Sequence, residues 1–126
     1  MDRRDDRKTR TKAFALRVVR LYKALPHREE ARVIGRQLLR SGTSVGANYR
    51  AACRGRSRAE FVAKLGVVLE EADETVFWLE LLQESDIVGA QRLAPLIQEA
   101  HELTAIFVAS ICTVKGMERR NRLFWS

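Results

Sequence analysis

The sequence has little of what a disulfide-bonded, membrane-spanning or secreted protein needs. Its 126 residues contain two cysteines, and Cys53 and Cys112 form no C-x-x-C pair, so they indicate small buried residues rather than a disulfide framework. No stretch approaches the roughly 18 uncharged apolar residues of a membrane span. The polar N-terminus lacks the apolar segment of a signal peptide. We therefore expect a cytoplasmic protein without a membrane partner.

The residues of common catalytic and metal sites are also scarce. There are two histidines, and the Glu-x-x-His pairs of di-metal helical bundles are absent, because Ala24 precedes His27 and Gln98 precedes His101 at the matching position. The sequence has no phosphate-binding glycine loop and no nucleophile elbow. Ion pairs to arginines explain the acidic residues best, and these are Glu70, Glu71, Asp73 and Glu74. We predict no enzymatic activity, no metal and no cofactor.

Proline and glycine are few, with two and seven residues, and their scarcity favours helices. Apolar residues at helical spacing predict four of them, at about 8–24, from about 28 to the glycine at 55, at about 58–84 and at about 90–115. Ser57 and Glu60 form a capping box for the third helix, whose apolar stripe alternates steps of four and three, as in a bundle. We predict one all-α four-helix domain over residues 1–126, with mobile basic ends at about 1–7 and 117–126.

The middle of the second segment can be interpreted in two ways. Residues 41–48 read SGTSVGAN, which on propensity alone predicts a loop between two shorter helices, because each glycine inside a helix costs about 1 kcal/mol. The alternative is one long helix whose small residues allow another backbone to approach closely.

Charge is sorted along the chain. Residues 1–24 contain nine basic and three acidic side chains, and residues 25–58 contain eight and two. Residues 59–102 contain two and ten, and residues 103–126 contain four and one. The sum is a net charge of +7, which makes nucleic acid the first class of partner to consider.

Arginines recur every four residues along the second helix, from Arg28 to Arg40 and again from Arg50 to Arg58. Such spacing predicts a basic ridge whose guanidinium groups contact phosphates. The alternatives are a solvated face or ion pairs with the acidic third helix. The candidate nucleic-acid-binding residues are Arg32, Arg36, Arg40, Arg50, Arg54, Arg56 and Arg58.

The third helix carries more apolar residues than one packing seam needs, which predicts self-association. Phe77, Trp78 and Leu81 are its candidate contacts. Trp78 could instead stack on bases, although its apolar neighbours favour packing, and Phe124 and Trp125 beside basic residues are the better stacking candidates.

The run QLLRSGTSVGANY at 37–49, with SRAEF at 57–61, EADET at 71–75 and WLELL at 78–82, resembles the four-helix bundle proteins encoded in intervening sequences of 23S rRNA genes. Accessory variability proteins of diversity-generating retroelements, which bind a reverse transcriptase and nucleic acid, are related to them. The resemblance implies an antiparallel up-down bundle, a homopentamer, one long second helix and a buried hydrogen bond from Asn48. Asn48 and Tyr49 thereby join the candidates for packing or oligomer contacts. Ala51 departs from the family pattern, which commonly has glutamate there.

Together these observations predict a non-catalytic oligomeric helical bundle that binds RNA or DNA through an arginine-rich surface. Its partners would be further copies of itself, nucleic acid and a nucleic-acid enzyme such as a reverse transcriptase. The alternative is a protein-interaction scaffold with no direct nucleic-acid role.

Overall fold

The computed structural model describes residues 2–125, except for the side chains at positions 121, 124 and 125. Four α-helices account for nearly all of them: α1 Arg3–Ala24, α2 Glu29–Cys53, α3 Arg58–Glu84 and α4 Ala90–Trp125. No strand occurs among these residues. The predicted all-α fold with four helices is confirmed. Over the same residues, no helix contains a window apolar enough to cross a bilayer.

The outer helices are longer than the sequence predicts. The Asp2 side chain accepts a hydrogen bond from the Asp5 backbone N–H at 2.8 Å, and this cap starts α1 at Arg3 instead of about Lys8. At the other end, α4 continues through Gly116 to Trp125, so the expected end at about Lys115 is wrong. Residues 3–7 and 117–125 of the two basic ends are therefore helical, and the mobility of these ends stays a prediction.

α2 is one helix, so the loop that propensity favours at residues 41–48 is wrong and the single helix that the resemblance implies is right. The reason is a close approach of α1. A Cβ on Gly42 would lie 2.8 Å from both methyl carbons of Val18, and one on Gly46 would lie 3.3 Å from the Thr11 carbonyl oxygen. Packing of α1 against bare backbone outweighs the intrinsic cost of glycine in a helix.

The helices pack in chain order around one apolar core. α1 packs on α2, α2 on α3 and α3 on α4, while α1 and α4 meet over a smaller area. The largest fully buried side chains are Tyr49, Phe14, Phe107, Leu38, Leu65, Leu79, Leu82, Leu93 and Leu103. Ser41 and Thr75 add a buried polar contact between α2 and α3, with their hydroxyl oxygens 3.1 Å apart.

Candidate nucleic-acid interface

Two pairs of arginines occupy the solvent side of α2. The opposite side of the helix is buried and is lined by Ala31, Gly35, Leu38, Ser41, Gly42, Val45, Gly46, Tyr49 and Ala52. The first pair is Arg32 and Arg36, and the second pair is Arg50 and Arg54. Arg32 and Arg50 are about five helical turns apart and point in one direction, and the same is true of Arg36 and Arg54. All four are exposed. At 1.5 Å per residue, the two pairs are about 27 Å apart along the helix.

The arginines do not form the continuous ridge that their spacing suggests. Because a helical turn takes 3.6 residues, each four-residue step rotates a side chain by about 40°. The series from Arg28 to Arg40 therefore turns around α2 toward α3. Between the two pairs, the exposed side of α2 presents the small residues Thr43 and Ala47.

Arg40 is held by the acidic third helix. Its guanidinium lies 3.2 Å from a carboxylate oxygen of Glu71 and 2.5 Å from one of Glu74. The hydrogen bond from Arg40 lowers the pKa of Glu74, and Glu74 in turn raises the pKa of Arg40. Among the candidate arginines, Arg40 thus follows the alternative expectation, an ion pair with α3, and it is poorly placed to contact phosphate.

Three of the candidate arginines gather at one end of the bundle. Arg54 caps the C-terminus of α2, Arg56 lies in the connector, and Arg58 begins α3. All three are exposed. Within the described residues, no ion pair forms on Arg36, Arg50, Arg54 or the side chains of Arg56 and Arg58.

Three arginines of α1 join this end of the bundle, and sequence reasoning missed them. The Arg4 guanidinium lies 4.5 Å from the ring centroid of Phe61 in the first turn of α3, and Arg7 donates to Ser110 Oγ at 2.8 Å. Together with Arg3 they line a cavity of about 260 Å³. The signal that could have found them is the Asp2 cap, followed by Asp5 and Asp6 in the first turn of a helix.

A basic groove runs between α1 and α2. Lys8 and Lys12 of α1 face Arg50 of α2 across the small residues Ala15 and Ala47, around a space of about 210 Å³. The groove lies beside the exposed α2 arginines and extends their positive surface onto α1.

Acidic side chains of α4 neutralise Arg10 of α1. Arg10 binds Glu99 with two hydrogen bonds, of 2.8 and 2.6 Å, and lies 3.5 Å from Glu102. Glu99 raises the pKa of Arg10, and the pair ties α1 to α4. Over residues 2–125, no group of three or more His, Cys, Asp or Glu side chains is arranged to hold a metal ion.

The oligomer or packing candidates fall into two groups. Asn48 is half-buried and donates to the Ser44 carbonyl oxygen of its own helix at 2.9 Å, so its hydrogen bond is local rather than buried.

Tyr49 is 1 % exposed and packs against Phe107, with ring centroids 5.8 Å apart. Its hydroxyl has no hydrogen-bond partner in the described part of the chain. Burial and the neighbouring Cys53 thiol raise the pKa of Tyr49 to about 12. Tyr49 is a core residue.

The second group lies on the surface of α3. Phe77 is 55 % exposed and contacts Trp78 edge-on, with centroids 4.9 Å apart. Trp78 and Leu81 are half-buried. Val67, about three turns before Trp78, is exposed like Phe77. The Trp78 indole donates to Glu74 at 3.4 Å. We call Val67, Phe77, Trp78 and Leu81 the α3 apolar face. The stacking candidates Phe124 and Trp125 have side chains outside the described residues.

These features define a small all-α, four-helix protein with a basic surface along α2. Residues 7–109 match the model of the 23S rRNA-intervening sequence protein family. Because the match spans most of the chain, the protein belongs to that family.

One solved structure is similar over most of its length. It is a protein with unknown function from the S23 ribosomal protein family of Bacteroides thetaiotaomicron, 38 % identical, with a TM-score of 0.78. The similarity covers 82 % of this chain and 96 % of that one. Among curated proteins, none matches. Neither the family description nor this neighbour indicates a catalytic class.

Proposed function

We propose that this protein is a non-catalytic, oligomeric helical bundle that binds RNA or DNA through the exposed arginines of α2. Arg32, Arg36, Arg50 and Arg54 would contact phosphates, and Arg56 and Arg58 would extend the contact at the α2–α3 connector. Guanidinium groups suit this role because their planar N–H groups match phosphate oxygens.

The observation that carries the proposal is that exposed arginines without an ion pair lie along one side of α2, in contrast to the paired Arg10 and Arg40. Arg10 and Arg40 each have two carboxylates within 3.5 Å. The α2 arginines that face solvent have no such ion pair among the described residues. Clustered positive charge without neutralising acids attracts polyanions.

Within this proposal the four helices run up and down as an antiparallel bundle. Support comes from the order of the contacts, since Gly35, Gly42 and Gly46 approach Leu25, Val18 and Thr11 in turn, in the reverse order along α1. The connectors are also short, at residues 25–28, 54–57 and 85–89.

The bundle would assemble as a homopentamer through the α3 apolar face. The exposure of Phe77 and Val67 supports self-association, because large apolar side chains on one helix face commonly mark an interface. The number five is what the family resemblance implies. Several copies of a weak phosphate-binding surface would then bind a long strand by avidity.

The family description refers to an intervening sequence of 23S rRNA, which supports a setting close to nucleic acid. We place the protein in the cytoplasm, with a nucleic-acid enzyme such as a reverse transcriptase as its candidate protein partner.

Fluorescence anisotropy with labelled single-stranded RNA and duplex DNA tests the proposal. The test variant carries Arg32→Gln, Arg36→Gln, Arg50→Gln and Arg54→Gln. We expect its affinity at low salt to fall at least about tenfold, because each lost phosphate contact removes a charge-assisted hydrogen bond.

Two controls make the result specific. Arg40→Gln removes an arginine that is already paired, and Arg17→Gln with Arg20→Gln removes charge from the side of α1 near Arg92 of α4. Both controls should bind within about twofold of the wild type. If the wild type binds neither RNA nor DNA while its oligomer is intact, the scaffold alternative is favoured, and the α3 apolar face is then the surface to pursue.

A further inference from the structure

A separate cavity of about 320 Å³ lies where α1 meets the start of α2. Its walls include Tyr22 and Lys23 from the last turn of α1, His27 from the connector, and Arg32 and Arg36 from α2. This volume is at the lower end of the range of small-molecule sites. The five side chains come from three consecutive parts of the chain that the fold brings around one space.

Among the residues that the structure describes, no carboxylate lines this cavity. Arg32 Nη2 lies 3.2 Å from His27 Nδ1, and neither Lys23 nor Arg36 forms an ion pair within residues 2–125. Glu30, in the first turn of α2, pairs with Arg28 at 3.4 Å. Three permanent positive charges around one space repel each other, and a bound anion would relieve that repulsion.

The first turn of α2 also borders the cavity. Arg28 is the N-cap of α2 and makes no side-chain capping hydrogen bond, so the first turn lacks the partner that a serine or aspartate would supply. Ala31, in that turn, lines the cavity. The first turn of α2, which also carries Glu29 and Glu30, therefore borders the same space as the three cationic side chains.

The cavity also has an apolar and aromatic wall. The Tyr22 ring lies next to Gly35, where an added Cβ would be 3.2 Å from Tyr22 Cδ1. Leu25 and Pro26 continue this wall. A simple inorganic anion would leave this surface unused, whereas a phosphate attached to a nucleoside would use both walls.

We propose that this cavity binds the phosphate monoester of a nucleotide, with Lys23, Arg32 and Arg36 on the phosphate and Tyr22 against the nucleoside. The ligand is either a free nucleotide or the phosphorylated end of a nucleic-acid strand. The site shares Arg32 and Arg36 with the proposed nucleic-acid surface, but it does not depend on the binding of long strands.

Isothermal titration calorimetry of the full-length protein with adenosine 5′-monophosphate and with adenosine is the first arm of the test. Arg32→Gln and Arg36→Gln are the cavity variants, and Arg92→Gln is the control, because Arg92 is an exposed arginine of α4 that lines a different cavity. Circular dichroism and size-exclusion chromatography confirm that each variant keeps its fold and assembly.

We expect the monophosphate to bind at least about tenfold more tightly than adenosine, because only the monophosphate engages the cationic side chains. Each cavity variant should weaken binding of the monophosphate about tenfold, and Arg92→Gln should weaken it by less than about twofold. The proposal is overturned if adenosine binds as tightly as the monophosphate, or if Arg92→Gln weakens binding as much as the cavity variants do. It is also overturned if the monophosphate does not bind and a phosphorylated strand is not preferred.

The second arm separates the two sources of the phosphate. Anisotropy compares 5′-phosphorylated and 5′-hydroxyl oligonucleotides of one sequence. A preference for the phosphorylated strand that Arg32→Gln abolishes supports a strand end. Binding of the monophosphate without that preference supports a free nucleotide. If the monophosphate binds and no strand does, this inference stands and the proposed nucleic-acid function fails.

Discussion

A Cβ atom on Gly42 would lie 2.8 Å from both Cγ1 and Cγ2 of Val18. Val18 is fully buried and, being β-branched, has few alternative rotamers, so it cannot move aside. The contact shows why α2 tolerates glycine in its interior. At this position a glycine is required by the neighbouring helix rather than by the backbone conformation of α2.

Gly42→Ala should lower the free energy of unfolding by about 1–3 kcal/mol, the usual cost of overpacking a core. The matched control is Gly66→Ala on α3, where an added Cβ meets nothing within 4 Å. That change should raise stability by up to about 1 kcal/mol through helix propensity. Urea denaturation followed by circular dichroism measures both. Equal effects of the two substitutions would contradict the close approach of α1.

Loss of the Arg40 ion pairs should change the acid stability of the protein. Arg40 lowers the pKa of Glu74, so this interaction stabilises the fold above the ordinary glutamate pKa of about 4.3 and is lost as pH falls through the lowered value. Arg40→Gln should therefore destabilise by about 0.2–1 kcal/mol at pH 7 and by less at pH 3. Urea denaturation at the two pH values measures this, and a cost that is as large at pH 3 contradicts it.

Removal of the Tyr49 hydroxyl should be tolerated. The oxygen is buried without a hydrogen-bond partner among the described residues, so Tyr49→Phe should leave stability at pH 7 unchanged or raise it by about 1 kcal/mol. Tyr49→Ala should cost about 3–5 kcal/mol, because the ring fills the core beside Phe107.

The same tyrosine predicts an alkaline transition. The pKa of Tyr49 is raised to about 12 in the folded protein, so its ionisation has no effect on stability below the ordinary tyrosine pKa of about 10. Between about pH 10 and 12 the unfolded chain ionises more readily than the folded one, and the free energy of unfolding falls. Tyr49→Phe should reduce the loss of stability between pH 10 and 12, as measured by urea denaturation. If Tyr49→Phe loses as much stability as the wild type between pH 10 and 12, another titratable group causes the loss.

Charges introduced on the α3 apolar face should dissociate the oligomer. For Phe77→Asp with Leu81→Asp, light scattering coupled to size-exclusion chromatography should report the chain mass of 14.4 kDa. The proposed wild-type pentamer should report five times that mass. Val108→Asp on α4 is the control, because Val108 is similarly exposed but lies outside this face. An oligomer that survives the double substitution and dissociates with Val108→Asp would place the interface on α4.

The sequence predicts well those features of the fold that depend on signals from neighbouring residues in the chain. The start of α3 follows from the capping box at Ser57 and Glu60, and the structure has the Ser57 side chain accepting from the Glu60 N–H. The start of α1 was missed because residues 3–7 carry no apolar periodicity and only the cap at Asp2 signals a helix. Propensity failed at Gly42 because the contact with Val18 is tertiary.

The candidate site likewise has features that the sequence predicts and features that depend on tertiary contacts. Exposure of Arg32, Arg36, Arg50 and Arg54 follows from helical geometry alone once α2 is known to be one helix. The pairing of Arg40 with Glu74 depends on how α2 and α3 align, which no local signal fixes. The position of Tyr49 in the core depends likewise on α4, since Phe107 packs against it.

The salt dependence of nucleic-acid binding tests the central claim most directly. On duplex DNA, the slope of log affinity against log salt is about −0.9 for each phosphate contacted. If the four α2 arginines each contact one phosphate, their replacement by glutamine should make the slope shallower by about 3–4 per chain engaged. Arg17→Gln with Arg20→Gln should leave the slope unchanged. An identical slope for the wild type and the α2 variant would contradict the claim that this face of α2 binds nucleic acid.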